Sequence, residues 1–531
     1  MMGLKQKIVD RSKQALLRPS VLRWVTDDRV MKATEGFMDA RSRVRDAWNV
    51  LLNGNELPNI DPALDENIGQ SAPPVDSKSN GHTNGHAANG ASHSVTNGNG
   101  ASNGARVDLA DREGSSDMAE SMRERTSLAT IGGKDVFEKC FKFMAADNAR
   151  KMGIYPFFRP LDFADGPEAQ INGKRVVMFG SNNYLGLTTH PKVREAAKAA
   201  IDKYGTSMTG SRLVNGSMRL HEEFEERLAK WFNKEAALVF TTGYQVNIAT
   251  CAALLSNKQS VAVIDRNVHA SLYDGTRLGQ SAGARLVRYR HNDAESLDKA
   301  LEKLELGDGA FVLTDGVFSA EGEIAKLDEI VPIVKKHGAR LFVDDAHALG
   351  VIGPGGMGTA AHFGLLDQVD LIGGTFSKSL ASIGGWLVGD RKVLDYIRHF
   401  APSFMFAAAA APPCVAAAMA AFDVMREETW RIDKLRENFT YMRDELRKMG
   451  FELGHTQTAV IPIYIRQDLR TIMMWRDLLE EYGIYTNPFI SPGVPPKSAM
   501  LRTSYMATHD RHHLDRALEG FQKVGKKYGV I

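Results

Sequence analysis

Three cysteines in 531 residues, Cys140, Cys251 and Cys414, are too few and too scattered for a disulfide framework or a paired-cysteine metal knuckle. A reducing compartment is therefore expected. Excess charge is missing too: Lys+Arg number 66 and Asp+Glu 64, a formal net of +2, so the chain lacks the electrostatic footprint of a nucleic-acid binder. No uninterrupted apolar run approaches the roughly 20 residues that span a bilayer. The opening MMGLKQKIVDRSKQ has no apolar core of a signal peptide, and a cytoplasmic setting is expected. Neither GxxxxGK[ST] nor HExxH occurs, which removes the P-loop and the zinc-protease helix, and no metal site is expected. GPGGMG at Gly353–Gly358 has dinucleotide-fingerprint spacing, but it lies well past the nearest apolar run and opens no helix pattern, so it reads as a loop.

What is present divides by texture. Residues 1–55 read as a basic helical arm, with Leu4, Ile8, Val9, Leu16 and Leu17 at helical spacing and, over residues 1–50, eleven Lys and Arg against six Asp and Glu. Such an arm suits either an anionic bilayer surface or a docking partner. It carries no Asp-Ser-Leu element of a phosphopantetheine carrier. Residues 56–125 read as a disordered Asn/Gly/Ser-rich linker, in which Asn-Gly pairs are flanked by Ser, His, Ala and Thr rather than by the alternating apolar residues of a hairpin. The remainder is dense and divides into an N-terminal segment of the core over 126–184, a large domain over 185–408 and a small α+β domain over 409–531.

Within the dense part, helical patterns such as HPKVREAAKAAIDKYG and KLDEIVPIVKKHG alternate with short apolar runs such as AFVLTD, RLFVD and DLIGG. That alternation predicts an α/β fold with a mostly parallel sheet flanked by helices. Ligands in such folds sit at the carboxyl ends of the strands. After AFVLTD comes Ser319, after RLFVD come Asp344 and His347, and after DLIGG comes Lys378 in GGTFSKSLASIGG. Each has an ordinary explanation alone: a helix cap, a core histidine, a solvated lysine. Together, an amine, a carboxylate and an imidazole are the parts that hold an aldehyde cofactor with a pyridine nitrogen, pyridoxal 5'-phosphate. The lysine amine links to the aldehyde, Asp344 keeps the ring nitrogen protonated, and the hydroxyls of Thr375 and Ser377 suit the phosphate.

The motifs FGSNNYLGL, TGSRLVNGSMRLHEEFE, FTTGYQVN, DRNVHASL, TDGVFSAEG, VDDAHALGVIG, GTFSKSLASIGG and LRTSYMATH stand in one order. In that order they resemble the α-oxoamine synthases, fold-type-I pyridoxal-phosphate enzymes that join an amino acid to an acyl thioester with loss of carbon dioxide. YPFFRPL, the Phe-Ser-Lys at Lys378 and the MATH ending at His509 resemble the family's bacterial serine palmitoyltransferase branch. The resemblance implies that His269 stacks on the pyridine ring and contacts the substrate carboxylate, that Gly243 and Tyr244 offer amides to the phosphate, and that His347 and Ser319 hold the ring hydroxyl. It further implies that Arg502 binds the substrate carboxylate, with Asn182 reaching the substrate from a partner subunit of a homodimer. The implied substrates are L-serine and a long-chain acyl-CoA or acyl-carrier protein; glycine with acetyl-CoA, alanine with a pimeloyl thioester, and a non-catalytic partner subunit are the alternatives. One departure is plain: where the family often has Ser or Thr for the partner's phosphate, this chain has Ala407–Ala411 unbroken.

Overall fold

The computed structural model describes residues 134–531, apart from 492 and 496. The arm over 1–55 and the linker over 56–125 lie outside the described residues. Seven strands form the central sheet, in the spatial order Ala236–Phe240, Gly385–Gly389, Leu371–Thr375, Arg340–Asp344, Gly309–Asp315, Ser260–Asp265 and Arg285–Tyr289. Gly385–Gly389 runs antiparallel to both its neighbours and the last five strands of that order pair in parallel. The predicted mostly parallel sheet is therefore present. The apolar runs AFVLTD and RLFVD fall within its strands, and DLIGG enters one from its second residue. From Phe311, Leu341 and Leu371 onward their apolar residues are buried continuously rather than alternately, as a sheet covered on both faces requires. Each Val, Leu or Ile sequestered this way contributes roughly 1.5–3 kcal/mol.

Two helices against this sheet approach each other unusually closely, Gly243–Leu254 and Ala270–Ser281. A side chain at Gly275 would place Cβ 2.8 Å from the Asn247 carbonyl oxygen and from Cys251 Cβ, and one at Gly279 would meet Leu255 Cβ at 2.6 Å. Glycine at both positions lets the two helices pack closely from Asn247 to Leu255, with Asn247 and Ser271 in contact at the end nearer the strand ends.

Two smaller sheets complete the described chain. Glu168–Ile171 and Lys174–Met178 form a hairpin across Asn172-Gly173, whose φ values of 49° and 75° are the left-handed pair a two-residue turn needs. Ile484–Tyr485 pairs in parallel with the second of these strands. The third sheet sets Met500–Ser504 between Val460–Tyr464 and Asn487–Phe489, which places Arg502 between Pro462 and Asn487. Among the described residues no helix is long and apolar enough to cross a membrane.

Candidate active site

At the carboxyl ends of the central strands lies a cavity of about 290 Å³. Its wall includes Lys378, Asp344, His347, His269, Gly243, Tyr244, Thr375 and Ser377, so eight residues singled out from the sequence meet in one place. Parallel pairing of Asp344 with Gly373 and of Asp315 with Asp344 explains the meeting, because neighbouring strands end at one level.

Lys378 follows strand Leu371–Thr375 and forms no ion pair among the described residues. Loss of water around the amine lowers its pKa to about 8; Asp344 and Asp315 pull it up, and the positive Arg502 pushes it down. Roughly a tenth of the amine is then neutral and nucleophilic at pH 7, and the share rises steeply above it. Asp344 accepts hydrogen bonds from Asn247 Nδ2 at 2.6 Å and from the Ala346 amide at 3.0 Å, the pattern of an acceptor-only carboxylate. Beside it, Asp315 is driven well above the usual carboxylate range by burial and by the charge of Asp344. Asp315 ends the run AFVLTD, four residues before Ser319, and is itself part of the cavity wall.

His347 is buried, and its Nδ1 lies 2.6 Å from the hydroxyl of Tyr184. Burial and the charges of Lys378 and Arg502 hold its pKa well below the ordinary value, so the ring is neutral. At the other end of the cavity, helix Gly243–Leu254 begins with Thr242, whose side chain accepts the amide of Gln245. Gly243 and Tyr244 carry first-turn N–H groups that no helical carbonyl can take, an anion site by construction. A Cβ on Gly243 would lie 2.5 Å from Thr375 Cβ, so only glycine lets the helix start so near the strand end.

Several expectations are altered by the geometry. Thr375 Oγ1 donates to the Gly384 carbonyl at 3.0 Å and lies 2.8 Å from Ser377 Oγ, so these hydroxyls hold the lysine loop together as well as facing the cavity. Ser319 does not line the cavity; its carbonyl accepts from Arg502 Nε at 2.7 Å. Arg502 Nη1 donates to Asn182 Oδ1 of the same chain at 3.0 Å and to Ser504 Oγ at 2.7 Å. Asn182, which the family resemblance implies reaches the substrate from a partner subunit, is brought by the small sheet carrying Arg502 to the arginine of its own chain. Arg502 is 3% exposed and forms no ion pair among the described residues. A buried guanidinium without a carboxylate is an electrostatic invitation to an anion. The alanine run is pinned by its backbone, with Thr241 Oγ1 donating to the Ala408 carbonyl at 2.6 Å and the Ala409 amide to Gly210 at 2.9 Å.

These parts fit one kind of ligand set. An amine of lowered pKa, an acceptor-only carboxylate and a bare helix start, all on one small cavity, suit an aldehyde, a protonated ring nitrogen and a phosphate on a single molecule. The unpaired arginine beside them suits a carboxylate.

Comparison with known proteins agrees. Residues 174–521 match the family model for aminotransferase class I and II. A serine palmitoyltransferase of Sphingobacterium spiritivorum is 42% identical over 390 residues, 73% of this chain and 96% of that protein. An 8-amino-7-oxononanoate synthase of Thermoanaerobacter pseudethanolicus is 37% identical over 386 residues, 72% of this chain and 96% of that protein. A solved serine palmitoyltransferase with pyridoxal phosphate superposes with a TM-score of 0.72 at 34% identity, covering 75% of this chain and all of that one.

Proposed function

The chain belongs to the aminotransferase class I and II family, and from that premise we propose that it condenses L-serine with a long-chain acyl-CoA. The product is a 3-ketosphingoid base, as in the first step of sphingolipid synthesis. The cofactor is pyridoxal 5'-phosphate and the enzyme is an acyltransferase of the α-oxoamine synthase kind. The carboxylate leaves serine as carbon dioxide, the α-carbon bonds to the acyl carbonyl carbon, and the thiol of coenzyme A departs. The observation that carries the reading is the meeting of Lys378, Asp344, His269 and the helix start at Gly243 and Tyr244 on one cavity, with the unpaired Arg502 beside them.

When bound, pyridoxal phosphate supplies an aldehyde for covalent attachment to an amine and a ring that withdraws electrons from an amino acid's α-carbon. Lys378 Nζ would be the attachment point and would also be placed to move a proton at that α-carbon. Asp344 holds a proton on the ring nitrogen by its negative charge. The Gly243 and Tyr244 amides would bind the phosphate, and His269 and His347 would hold the ring. Arg502, oriented by Ser319, Asn182 and Ser504, binds the amino-acid carboxylate.

Serine as the amino acid is supported by the likeness to serine palmitoyltransferases, several of which are 40–42% identical. A substrate panel tests it. L-Serine should shift the visible spectrum of the bound cofactor, and palmitoyl-CoA should then release carbon dioxide and free thiol. Strong turnover with glycine and acetyl-CoA, or with alanine and pimeloyl-CoA, and none with serine would overturn the choice.

We infer further that the protein acts as a cytoplasmic homodimer and that the basic arm touches anionic lipid at the inner membrane surface. Both substrate and product are amphiphiles, so the enzyme gains from lying near a bilayer. Deleting residues 1–106 should spare the soluble reaction and abolish co-sedimentation with anionic liposomes in low salt. Full-length protein that ignores such liposomes would make the arm a protein-docking element instead.

A further inference from the structure

A chain of hydrogen bonds runs along the cavity wall from Asp344 to His269 through two residues to which the reading above gives no role. Asn247 lies one turn into helix Gly243–Leu254, is 2% exposed, and donates from Nδ2 to Asp344 Oδ2 at 2.6 Å and to Ser271 Oγ at 2.8 Å. The carboxylate fixes which way the amide faces, since the reversed amide would press two acceptor oxygens together. Both amide hydrogens are then committed. Ser271 is 1% exposed and accepts one of them. Its own single hydrogen goes to the remaining neighbour, His269 Nδ1, at 2.7 Å. The Ser271 amide donates to the same nitrogen at 3.3 Å.

Two donors therefore converge on Nδ1. A ring nitrogen that accepts twice carries no proton, and a neutral imidazole then has its hydrogen on Nε2. We propose that Asn247 and Ser271 are positioning residues that lock His269 as the neutral Nε2–H tautomer, so that it offers the substrate a hydrogen-bond donor. The close approach of the two helices, which the glycines at 275 and 279 allow, is what makes the relay possible.

The groups facing His269 are consistent with this state. Its backbone amide donates to both oxygens of Asp315 at 3.2 and 3.1 Å, which fixes the residue at the helix start. The Tyr244 ring stands edge-on at 6.2 Å. Burial lowers the imidazole pKa, Asp344 raises it and Lys378 lowers it, with a net shift downward. An Nε2–H donor is the form that the carboxylate contact implied for His269 by the family resemblance requires; the new element is what holds the ring in that form. This use of the donor rests on the amino-acid reading above, whereas the tautomer itself does not.

The test is nuclear magnetic resonance of full-length protein labelled with [15N]histidine and loaded with pyridoxal phosphate, with His269→Asn assigning the signals by subtraction. His269 should show a pyridine-type Nδ1 and a pyrrole-type Nε2 at neutral pH. The reverse assignment, or a ring protonated on both nitrogens, overturns the proposal without any further variant. Ser271→Ala should move the Nδ1 signal toward a tautomer average and raise the KM for the amino acid about five- to tenfold, with kcat changed less than twofold. Asn247→Ala should do the same more weakly. Folded Ser271→Ala protein with unchanged nitrogen signals would also overturn it. Failure of serine in the substrate panel would leave the nitrogen signals untouched, so the two readings fail separately.

Discussion

Lys378→Ala should lower turnover at least ~1,000-fold while leaving the fold intact, given what a nucleophile that also moves protons contributes. The amine is half-buried, has no ion pair among the described residues, and is held at a pKa of about 8 by loss of water opposed by nearby carboxylates. Nothing in the packing depends on it, because Thr375, Ser377 and Gly384 hold its loop through their own hydrogen bonds. Lys378→Arg should be about as inactive, since a guanidinium keeps the positive charge but stays protonated at any working pH. That pair of variants separates the nucleophile from the cation. Borohydride treatment of the wild type should fix the cofactor on the peptide containing Lys378, and labelling of another lysine would end the assignment. The sign of the pKa shift gives a further check. The amine is neutral above about 8, so the rate at which apo protein takes up pyridoxal phosphate covalently should climb as pH rises through that value.

Much of this site was legible because it lies at strand ends. A short buried run followed by Asp344, or by Lys378, announces its own position in a parallel sheet, and Asp344, His347 and Lys378 fell where that rule puts them. What was hidden depends on strand order and helix proximity. Asp315 meets Asp344 only because Gly309–Asp315 pairs with Arg340–Asp344, a fact of topology that spacing along the chain does not carry. Asn247 and Ser271 both sit inside quoted motifs, FTTGYQVN and DRNVHASL, but what links them is the glycine-permitted contact between two helices. Ser319 was expected to offer a hydroxyl, whereas its turn presents the carbonyl to Arg502. His509 of the MATH ending has a structural explanation. Its Nδ1 accepts the Met506 amide at 2.9 Å, its Nε2 lies 3.2 Å from the Met178 carbonyl, and its ring stacks on Phe179 at 4.5 Å. Burial pushes its pKa down to about 3, so it is a neutral brace between the hairpin sheet and the C-terminal helix Arg511–Lys527.

Arg502→Ala should weaken amino-acid binding about 10- to 100-fold, the range set by roughly 1.5–3 kcal/mol for a charge-assisted hydrogen bond. The guanidinium is already aimed: Nε is held by the Ser319 carbonyl and Nη1 by Asn182 and Ser504, so its remaining donors are directed before any ligand arrives. Arg502→Lys should recover little of the loss, because one ammonium cannot keep those separate partners and still meet a carboxylate. Either substitution also disturbs the Arg502 bonds to Asn182 and Ser504, so circular dichroism must first show that the variant folds. In folded protein the cofactor should still be fixed at Lys378 by borohydride, which separates substrate binding from cofactor attachment. A second consequence follows from charge alone. Arg502 depresses the pKa of Lys378, so its removal should move the pH dependence of cofactor uptake upward from about 8. Titration of the variant with serine, followed through the cofactor's visible spectrum, measures the first effect and the pH series measures the second. Unchanged serine affinity together with a shifted pH profile would mean that Arg502 tunes the lysine but another group holds the carboxylate.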